Sequence, residues 1–370
     1  MKKIILLVSI FFIAVTQVYA ARHIKFTLVE DLCYDDNIYL SKNNRISSII
    51  SSTQLYADYA TRLPGTNWKV SVDANIGYHL YSENPSRNNH MNAGLGVTLG
   101  GRYFTLGDRV IYTEEGISAE IDRAKRITNI ASLTFRTPLS RKFSLALLAR
   151  DTLYKYLDDD YENLNRNRID LGARLYYHLT AKTSLYFSYL FYSIKYEKSN
   201  YHNSYGHEYS LGITGKLAPK VTGDARVTYD MRRYERDNKD VDLLGYFVSL
   251  KYAPTNRSLL TLSGSRKMVE SSYRNNRYYV STAAGLKYEQ KLWRKWSAAL
   301  GISYENAAYP NAINGVKRTD DYLRITPSLT YHFRENLVAT LYYRYRCRWS
   351  NFDYAEYTNN RIGIRIKFYF

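Results

Sequence analysis

The chain ends in the stretch NRIGIRIKFYF, residues 360–370, and this stretch decides the fold. Its isoleucines and phenylalanines share one parity, whereas Arg361, Arg365 and Lys367 share the other. Because side chains alternate between two faces along a β-strand, the stretch predicts one apolar and one cationic face. This pattern is typical of a strand in a transmembrane barrel, whose terminal aromatic residues lie at the membrane interface. A soluble edge strand is the alternative.

Residues 1–20 predict a signal peptide. Lys2 and Lys3 precede an apolar run over residues 4–15, and Ala20 ends a small-residue cleavage site. This arrangement predicts export of a mature barrel domain at residues 21–370. No later stretch reaches the ~18–20 continuous apolar residues that a membrane helix needs. An exported chain that spans a membrane without such helices must do so as a closed barrel.

The composition agrees with a barrel. Tyr accounts for 39 of the 370 residues, and the mean hydropathy is −0.43, as expected where every second residue faces water. The formal net charge of +18 is compatible with nucleic-acid binding. Export argues against nucleic acid and favours an anionic partner outside the cytoplasm, such as lipopolysaccharide phosphates, acidic glycans or small anions.

Tight-turn signals recur at intervals of roughly 38 residues, which indicates a hairpin repeat. Each interval contains two alternating segments and one longer polar connection. The repeat predicts an all-β, antiparallel up-and-down β-barrel of about 18 strands, and the even number puts both termini on the periplasmic side. The predicted turns lie at residues 62–65, 100–101, 138–140, 180–182, 218–220, 254–256, 292–294 and 334–336.

The polar parity of the strands defines a predicted lumen. Inward cations outnumber inward acids, and rings of Arg or Lys build anion-preferring pores, so the lumen is predicted to prefer anions. The alternative is that these cations pair with acids across strands and form a structural lattice without solute preference. Tyr176, Tyr246 and Tyr342 either face a sugar or seal the wall. The predicted pore-lining residues are Arg174, Arg226, Arg324, Arg344, Arg346, Arg361, Arg365 and Lys367.

A barrel of about 18 strands encloses an aqueous channel. The longest outer connection is expected around residues 113–125, and no connection predicts a plug or a loop folded into the pore. The lumen is therefore expected to be either wide or narrowed by long Arg and Tyr side chains.

Signatures of an enzyme or of a metal site are weak. The chain has no G-x-S-x-G elbow and no H-E-x-x-H motif, because His207-Glu208 lacks the second histidine. His178 or His332 beside a serine is the remaining catalytic alternative. We expect a protein without enzymatic activity, metal or cofactor.

The two cysteines are predicted to remain separate thiols. Cys33 falls on the first strand and Cys347 on the second-last strand. In a closed barrel the last strand separates them by two strand spacings, roughly 9–10 Å. That separation exceeds the ~7 Å limit for the Cα atoms of a disulfide.

The segment LCYDDNIYL, residues 32–40, resembles the opening strand and first loop of the putative β-barrel porin 2 family. Those proteins begin with a Tyr-x-Asp-Asn-Ile pattern and end in an aromatic strand. The resemblance implies that Asp35-Asp36-Asn37 is a turn at the outer rim. Family members often accompany exopolysaccharide or exosortase systems in Gram-negative bacteria, which implies polysaccharide passage.

The final strand also resembles the C-terminal strand that outer-membrane barrels present to the barrel-insertion machinery, with Phe368 and Phe370 as the signal. The resemblance implies a multi-pass barrel in the bacterial outer membrane, in contact with its lipid and lipopolysaccharide. The sequence does not define whether such barrels form oligomers.

Two functions agree with these observations. The first is a porin-like channel for passive diffusion of small hydrophilic solutes, anionic or glycan in character, with a link to polysaccharide export. The second is a non-conducting barrel that anchors or docks a surface or polysaccharide-export assembly. An open lumen lined by arginines would favour the channel, whereas a lumen closed by side chains or loops would favour the scaffold.

Overall fold

The structure, a computed structural model, describes residues 24–114, 124–271, 273 and 276–370. The predicted signal peptide and most of the connection at residues 113–125 lie outside the described residues. Within them, 18 β-strands form a single antiparallel sheet that closes on itself. No helix in this part of the chain is long and apolar enough to cross a bilayer.

The strands follow one another in chain order around the barrel. The first nine are β1 (Ile24–Asp35), β2 (Ser48–Arg62), β3 (Lys69–Tyr81), β4 (His90–Gly100), β5 (Phe104–Thr113), β6 (Arg126–Pro138), β7 (Phe143–Tyr156), β8 (Arg166–Thr180) and β9 (Thr183–Tyr196). The others are β10 (Ser204–Ala218), β11 (Val221–Tyr234), β12 (Lys239–Thr255), β13 (Ser258–Glu270), β14 (Tyr278–Lys291), β15 (Trp296–Ile313), β16 (Val316–Arg334), β17 (Leu337–Ser350) and β18 (Tyr357–Tyr369). Some connections contain a short helix: α1 (Pro85–Asn88) and the 3-10 helices Asp159–Leu164, Asn200–His202 and Asp353–Ala355.

Closure joins the first strand to the last. β1 and β18 pair antiparallel from Thr27 opposite Tyr369 to Asp35 opposite Arg361. Every other strand pairs with its neighbours in the chain. The predicted up-and-down barrel of about 18 strands is confirmed, and closure pairs the backbone groups that the first and last strands would otherwise expose at a sheet edge.

The two ends of the barrel differ. Eight short turns connect strands at the end that also holds the last residue, where the Phe370 N–H donates to the Phe26 carbonyl (2.9 Å). All eight predicted turns lie there, and the one expected at residues 254–256 is shifted to 256–257. The other connections lie at the opposite end, where those at residues 235–238 and 314–315 are also short because their strands extend further.

The outer face carries the apolar parity. Ile362, Ile364 and Leu341 are all exposed on it, among many other large hydrophobic side chains. A continuous apolar exterior of this extent is stable in lipid rather than in water. Tyr246 also lies on the outer face, so it neither contacts a solute in the lumen nor seals the inner wall.

The Asp35-Asp36-Asn37 stretch fastens the barrel seam at its outer rim. The Asn360 N–H donates to Asp36 Oδ1 (2.6 Å), and the Asn37 amide donates to the Thr358 carbonyl (2.8 Å). Asp35 and Asn37 are fully buried. Besides turning the chain, the stretch therefore holds β1 to β18 where the barrel closes.

Candidate functional site in the barrel lumen

A cavity of about 1050 Å³ runs along one side of the lumen. It extends from Tyr369 near the short turns to Tyr39 at the opposite end. Six predicted pore-lining residues line it, namely Arg324, Arg344, Arg346, Arg361, Arg365 and Lys367. We call the inward residues of β16, β17, β18 and β1 the seam wall, because the barrel closes there.

Two arginines of the seam wall pair with acids on β1. Arg361 Nη2 lies 2.7 Å from Asp35 Oδ2, and Arg365 Nε lies 2.7 Å from Asp31 Oδ2. Asp35 is fully buried, so its carboxylate depends on this partner for compensation. These two cations are therefore neutralised across the seam.

Three further arginines of the seam wall, Arg324, Arg344 and Arg346, have no acidic partner among the described residues. Arg346 donates to the amide oxygen of Asn359 (2.8 Å), which is uncharged. Within the described residues, Arg324 and Arg344 have no carboxylate at ion-pair distance, and the buried Nε–H of Arg344 has no acceptor. Arg324 stands directly opposite Arg346, and Arg344 opposite Arg361. Like charges in opposed cross-strand positions repel each other, so this part of the wall carries an excess of positive charge beside the cavity.

We call the inward residues of β6–β12, on the opposite side of the lumen, the ladder wall. Its arginines stack on tyrosine rings, since Arg136 Cζ lies 4.6 Å from the centroid of Tyr176, and Arg174 Cζ lies 4.4 Å from the centroid of Tyr186. The Tyr186 hydroxyl donates to Asp224 (2.9 Å). The planar guanidinium group is suited to such stacking.

Arg226 continues the same layer of the ladder wall. It pairs with Asp224 (Nη1 to Oδ1, 3.1 Å) and lies 4.3 Å from the centroid of Phe247. Arg174 and Arg226 are thus the two predicted pore-lining residues that lie outside the cavity lining. Their partners are those of a structural lattice.

Arg232 forms the most buried ion pair of the ladder wall. Its side chain is 3 % exposed, and Nη1 lies 2.5 Å from Glu270 Oε1. Its Nε also donates to the Tyr192 hydroxyl (3.1 Å), which donates to Asp230 (2.7 Å). Both ions have left water, so each depends on the other for compensation.

One cross-strand arrangement recurs on both walls. A tyrosine crosses a glycine on the next strand and donates to an aspartate on the strand after that. A Cβ at Gly212 would lie 2.6 Å from Tyr186 Cζ, so only glycine permits this crossing. The three examples are Tyr186–Gly212–Asp224, Tyr192–Gly206–Asp230 and Tyr342–Gly363–Asp31. Sequence reasoning missed the arrangement because its members come together only through the register of three strands.

The outer end of β13 leaves the barrel wall. Pairing of β12 with β13 ends at Tyr246 opposite Arg266, although β13 continues to Glu270. Glu270 accepts from Arg232 on β11 and from the Tyr196 hydroxyl on β9 (3.3 Å). The end of β13 therefore lies against the inner surface of the ladder wall, while β13 stays paired with β14 as far as Glu270 opposite Tyr278.

A second group of side chains gathers at the same end of the barrel. Arg318 pairs with Asp320 through Nη2 (2.7 Å), and both are buried. Its guanidinium lies 4.2 Å from the centroid of Tyr273 and 5.9 Å from that of Tyr354, on two different connections. The outer connections therefore converge on one buried cation.

His178, one candidate of the catalytic alternative, contacts two serines. Its two ring nitrogens lie 2.7 Å from Ser144 Oγ and 2.8 Å from Ser184 Oγ. The imidazole thus lies between two hydroxyls rather than between a serine and a carboxylate, which a serine–histidine–acid triad requires.

The cysteines are free and buried, as expected. Cys33 lies opposite Gly363, and Cys347 lies opposite Thr358, so β18 separates the two thiols.

A closed barrel of 18 strands with an apolar exterior and a charged lumen defines the class of porin-type membrane barrels. The family model described as putative beta-barrel porin 2 matches residues 28–370, and the chain belongs to this family. No curated protein matches it. The suspected family is therefore confirmed.

Several solved structures have the same fold. OpdK from Pseudomonas aeruginosa is similar with a TM-score of 0.56 at 12% identity, covering 94% of this chain and 99% of that one. OpdK with vanillate gives 0.54 at 11% identity, with coverage of 94% and 99%. Acinetobacter baumannii OccAB4 gives 0.51 at 13% identity, with coverage of 94% and 98%. The chain is thus a multi-pass β-barrel of the outer membrane.

Proposed function

We propose that this protein is a passive outer-membrane channel for small hydrophilic anions, with carboxylate-bearing solutes and acidic glycans as the favoured class. The observation that carries the proposal is the long cavity beside Arg324, Arg344 and Arg346, whose charges have no acidic partner among the described residues. A positive lumen of this kind attracts anions and repels cations.

The comparison with OpdK supports the same class of solute. One of its structures contains vanillate, an aromatic carboxylate. The seam wall offers guanidinium groups that match the geometry of a carboxylate. In the proposed orientation, the short turns and both termini face the periplasm, and the long connections face outwards.

The structure also offers an argument for the second candidate, a non-conducting barrel that docks a surface or polysaccharide-export assembly. The ladder wall and the inward end of β13 occupy part of the lumen, where Glu270 lies between Arg232 and Tyr196. A lumen narrowed in this way would favour a scaffold if no continuous path remained.

Planar-bilayer recording of the purified protein under a salt gradient separates the two candidates. Stable conductance steps are expected, with a reversal potential that indicates anion selectivity. Arg344→Glu should reduce the anion-to-cation permeability ratio, whereas Lys182→Glu, in the turn after β8, should leave it unchanged. A protein that is folded and inserted but gives no steps would overturn the channel and support the scaffold. Steps without ion preference would retain the channel and remove the role of the arginines.

The contacts of the barrel with its surroundings belong to the same proposal. Phe368 and Phe370 are proposed to be read by the insertion machinery, and Phe370 is 65% exposed. The apolar outer face of the barrel is proposed to contact lipid and, at the outer rim, lipopolysaccharide. Truncation of Phe370 should lower the yield of inserted barrel in cells, measured by heat-modifiable mobility on gels.

A further inference from the structure

We propose that Arg324 and Arg344 bind one exchangeable oxyanion between them, a carboxylate or phosphate group of a solute in the lumen. This inference deepens the proposed function, on which it rests for the identity of the solute as a transported one. The binding itself does not depend on conduction, so the two can be tested separately.

Positive charge is locally in excess on β16, β17 and β18. Four guanidinium groups, those of Arg324, Arg344, Arg346 and Arg361, meet on three adjacent strands in two directly opposed pairs. Only Arg361 has an acidic partner among the described residues, at 2.7 Å from Asp35. Like charges in directly opposed positions destabilise the sheet, and a bound anion would offset their repulsion.

Arg344 has a hydrogen-bond donor without a partner among the described residues. The Nε–H of Arg344 is buried and has no acceptor in the part of the chain that the structure describes. Buried polar groups are almost always hydrogen-bonded, and a water or an ion is one partner that could satisfy this donor. Arg344 lines the cavity, so an anion in the lumen can reach its side chain.

Arg324 and Arg344 are also close to each other across two neighbouring strands. Arg346 is directly opposite Arg324, and Arg344 is two residues away from Arg346 on β17. Such diagonal neighbours lie about 7–8 Å apart at their Cα atoms, within reach of long side chains. At this separation both guanidinium groups are within reach of one oxyanion, to which each can donate charge-assisted N–H hydrogen bonds.

Several inward arginines of the ladder wall have partners that Arg324 and Arg344 lack in the described part of the chain. Arg136 and Arg174 stack on tyrosine rings, and Arg226 pairs with Asp224. Within the described residues, Arg324 and Arg344 have neither partner. The two seam-wall arginines therefore differ from these three arginines of the ladder wall.

The test is thermal unfolding of the full chain in detergent micelles, in chloride buffer of constant ionic strength, titrated with inorganic phosphate and separately with glucuronate. A saturable rise of the unfolding temperature is expected. Arg344→Gln and Arg324→Gln should each weaken the apparent affinity by at least about tenfold. Arg136→Gln, on the ladder wall, is the matched control and should retain the wild-type titration.

A second measurement gives the sign of the charge effect. In chloride alone, Arg344→Gln should unfold at a higher temperature than the wild type, because it removes one of several mutually repelling cations and leaves no acid unpaired. Arg344→Lys should keep the wild-type unfolding temperature in chloride but lose affinity, since lysine lacks the planar pair of donors.

The outcomes distinguish the sources of the anion. A response to glucuronate alone assigns the site to carboxylates, a response to phosphate alone assigns it to phosphoryl groups, and both responses support a general oxyanion site. A rise that does not saturate, or that is equal in Arg344→Gln, is charge screening only and overturns the inference. Absence of any rise overturns it too, whereas the bilayer experiment still decides whether the barrel conducts.

Discussion

The ladder wall and the seam wall use the same side chain in opposite ways. On the ladder wall, arginines such as Arg174 and Arg232 stack on tyrosines and pair with acids, so their charge stabilises the barrel. On the seam wall, Arg324 and Arg344 face a cavity without acidic partners in the described part of the chain. The number of inward arginines is therefore a poor guide to solute preference, and the partners of each one decide.

The recurring tyrosine–glycine–aspartate arrangement also differs between the two walls. On the ladder wall, each aspartate is followed two residues later by an arginine, Arg226 or Arg232, that lies in the lattice. On the seam wall, Cys33 occupies the corresponding position after Asp31. Asp31 pairs instead with Arg365 of the neighbouring strand. The seam wall thus lacks an arginine within the motif but holds arginines outside it.

The largest effect is expected from breaking the buried ion pair of the ladder wall. Arg232→Met leaves Glu270 buried without its cation, which should lower the free energy of unfolding by about 3–5 kcal/mol. Urea unfolding in lipid vesicles measures it. The double variant with Glu270→Met should recover most of the loss. A single-variant loss within about 1 kcal/mol, the size seen for exposed pairs, would mean that the pair is hydrated.

Tyr186→Phe tests the hydrogen bond that crosses Gly212. The hydroxyl is lost while the ring stays beneath Arg174, so the free energy of unfolding should fall by about 1.5–3 kcal/mol, the range for bonds to charged groups. Tyr342→Phe, the seam-wall counterpart, loses its bond to Asp31 and should cost a similar amount. Unequal losses, read from the same unfolding curves, would show that the two walls do not use the arrangement equally.

Asn37→Ala tests the contacts that Asn37 makes where β1 meets β18. It removes amide bonds to the Thr358 and Ser41 carbonyls (both 2.8 Å), and a loss of about 1–2 kcal/mol is expected. Asn44→Ala, an exposed position in the same connection, is the control. The folded fraction is followed by heat-modifiable gel mobility in urea. If both variants unfold alike, the contacts of Asn37 contribute nothing to the closure of the barrel.

The smallest effect is a pH dependence at the outer end of the ladder wall. Burial is the main cause that lowers the pKa of His202, against the opposing charge of Glu270. The unfolded state therefore takes up a proton first as the pH falls below about 6.5, and stability present above that pH is lost in acid.

His202→Phe keeps the ring contacts with Tyr196 and Tyr201 but removes the titration. The unfolding midpoint of this variant should depend less on pH below about 6.5 than that of the wild type. Parallel pH profiles for the two proteins would contradict the assignment of this step to His202.

Much of the fold could be predicted because its signals are local. Alternation along residues 360–370 depends only on the two-residue period of a strand, and turn residues such as Pro64 and Gly65 mark the hairpins directly. Parity also assigned Arg344 and Arg365 to the inner face, where the structure has them. The inward path of β13 could not be predicted, because it depends on contacts of Glu270 with strands far away in the chain.

The sequence by itself determined that the chain is a membrane barrel of about 18 strands and which face most of its strand residues take, with Tyr246 as an exception, since each of these follows from periodicity within one strand or one hairpin. Only the tertiary structure decided which inward arginines are neutralised. Tyr186 and Asp224 lie on strands two apart, and Arg361 meets Asp35 only because the last strand closes on the first. Charge compensation depends on partners across the register of several strands, and no local pattern specifies those partners.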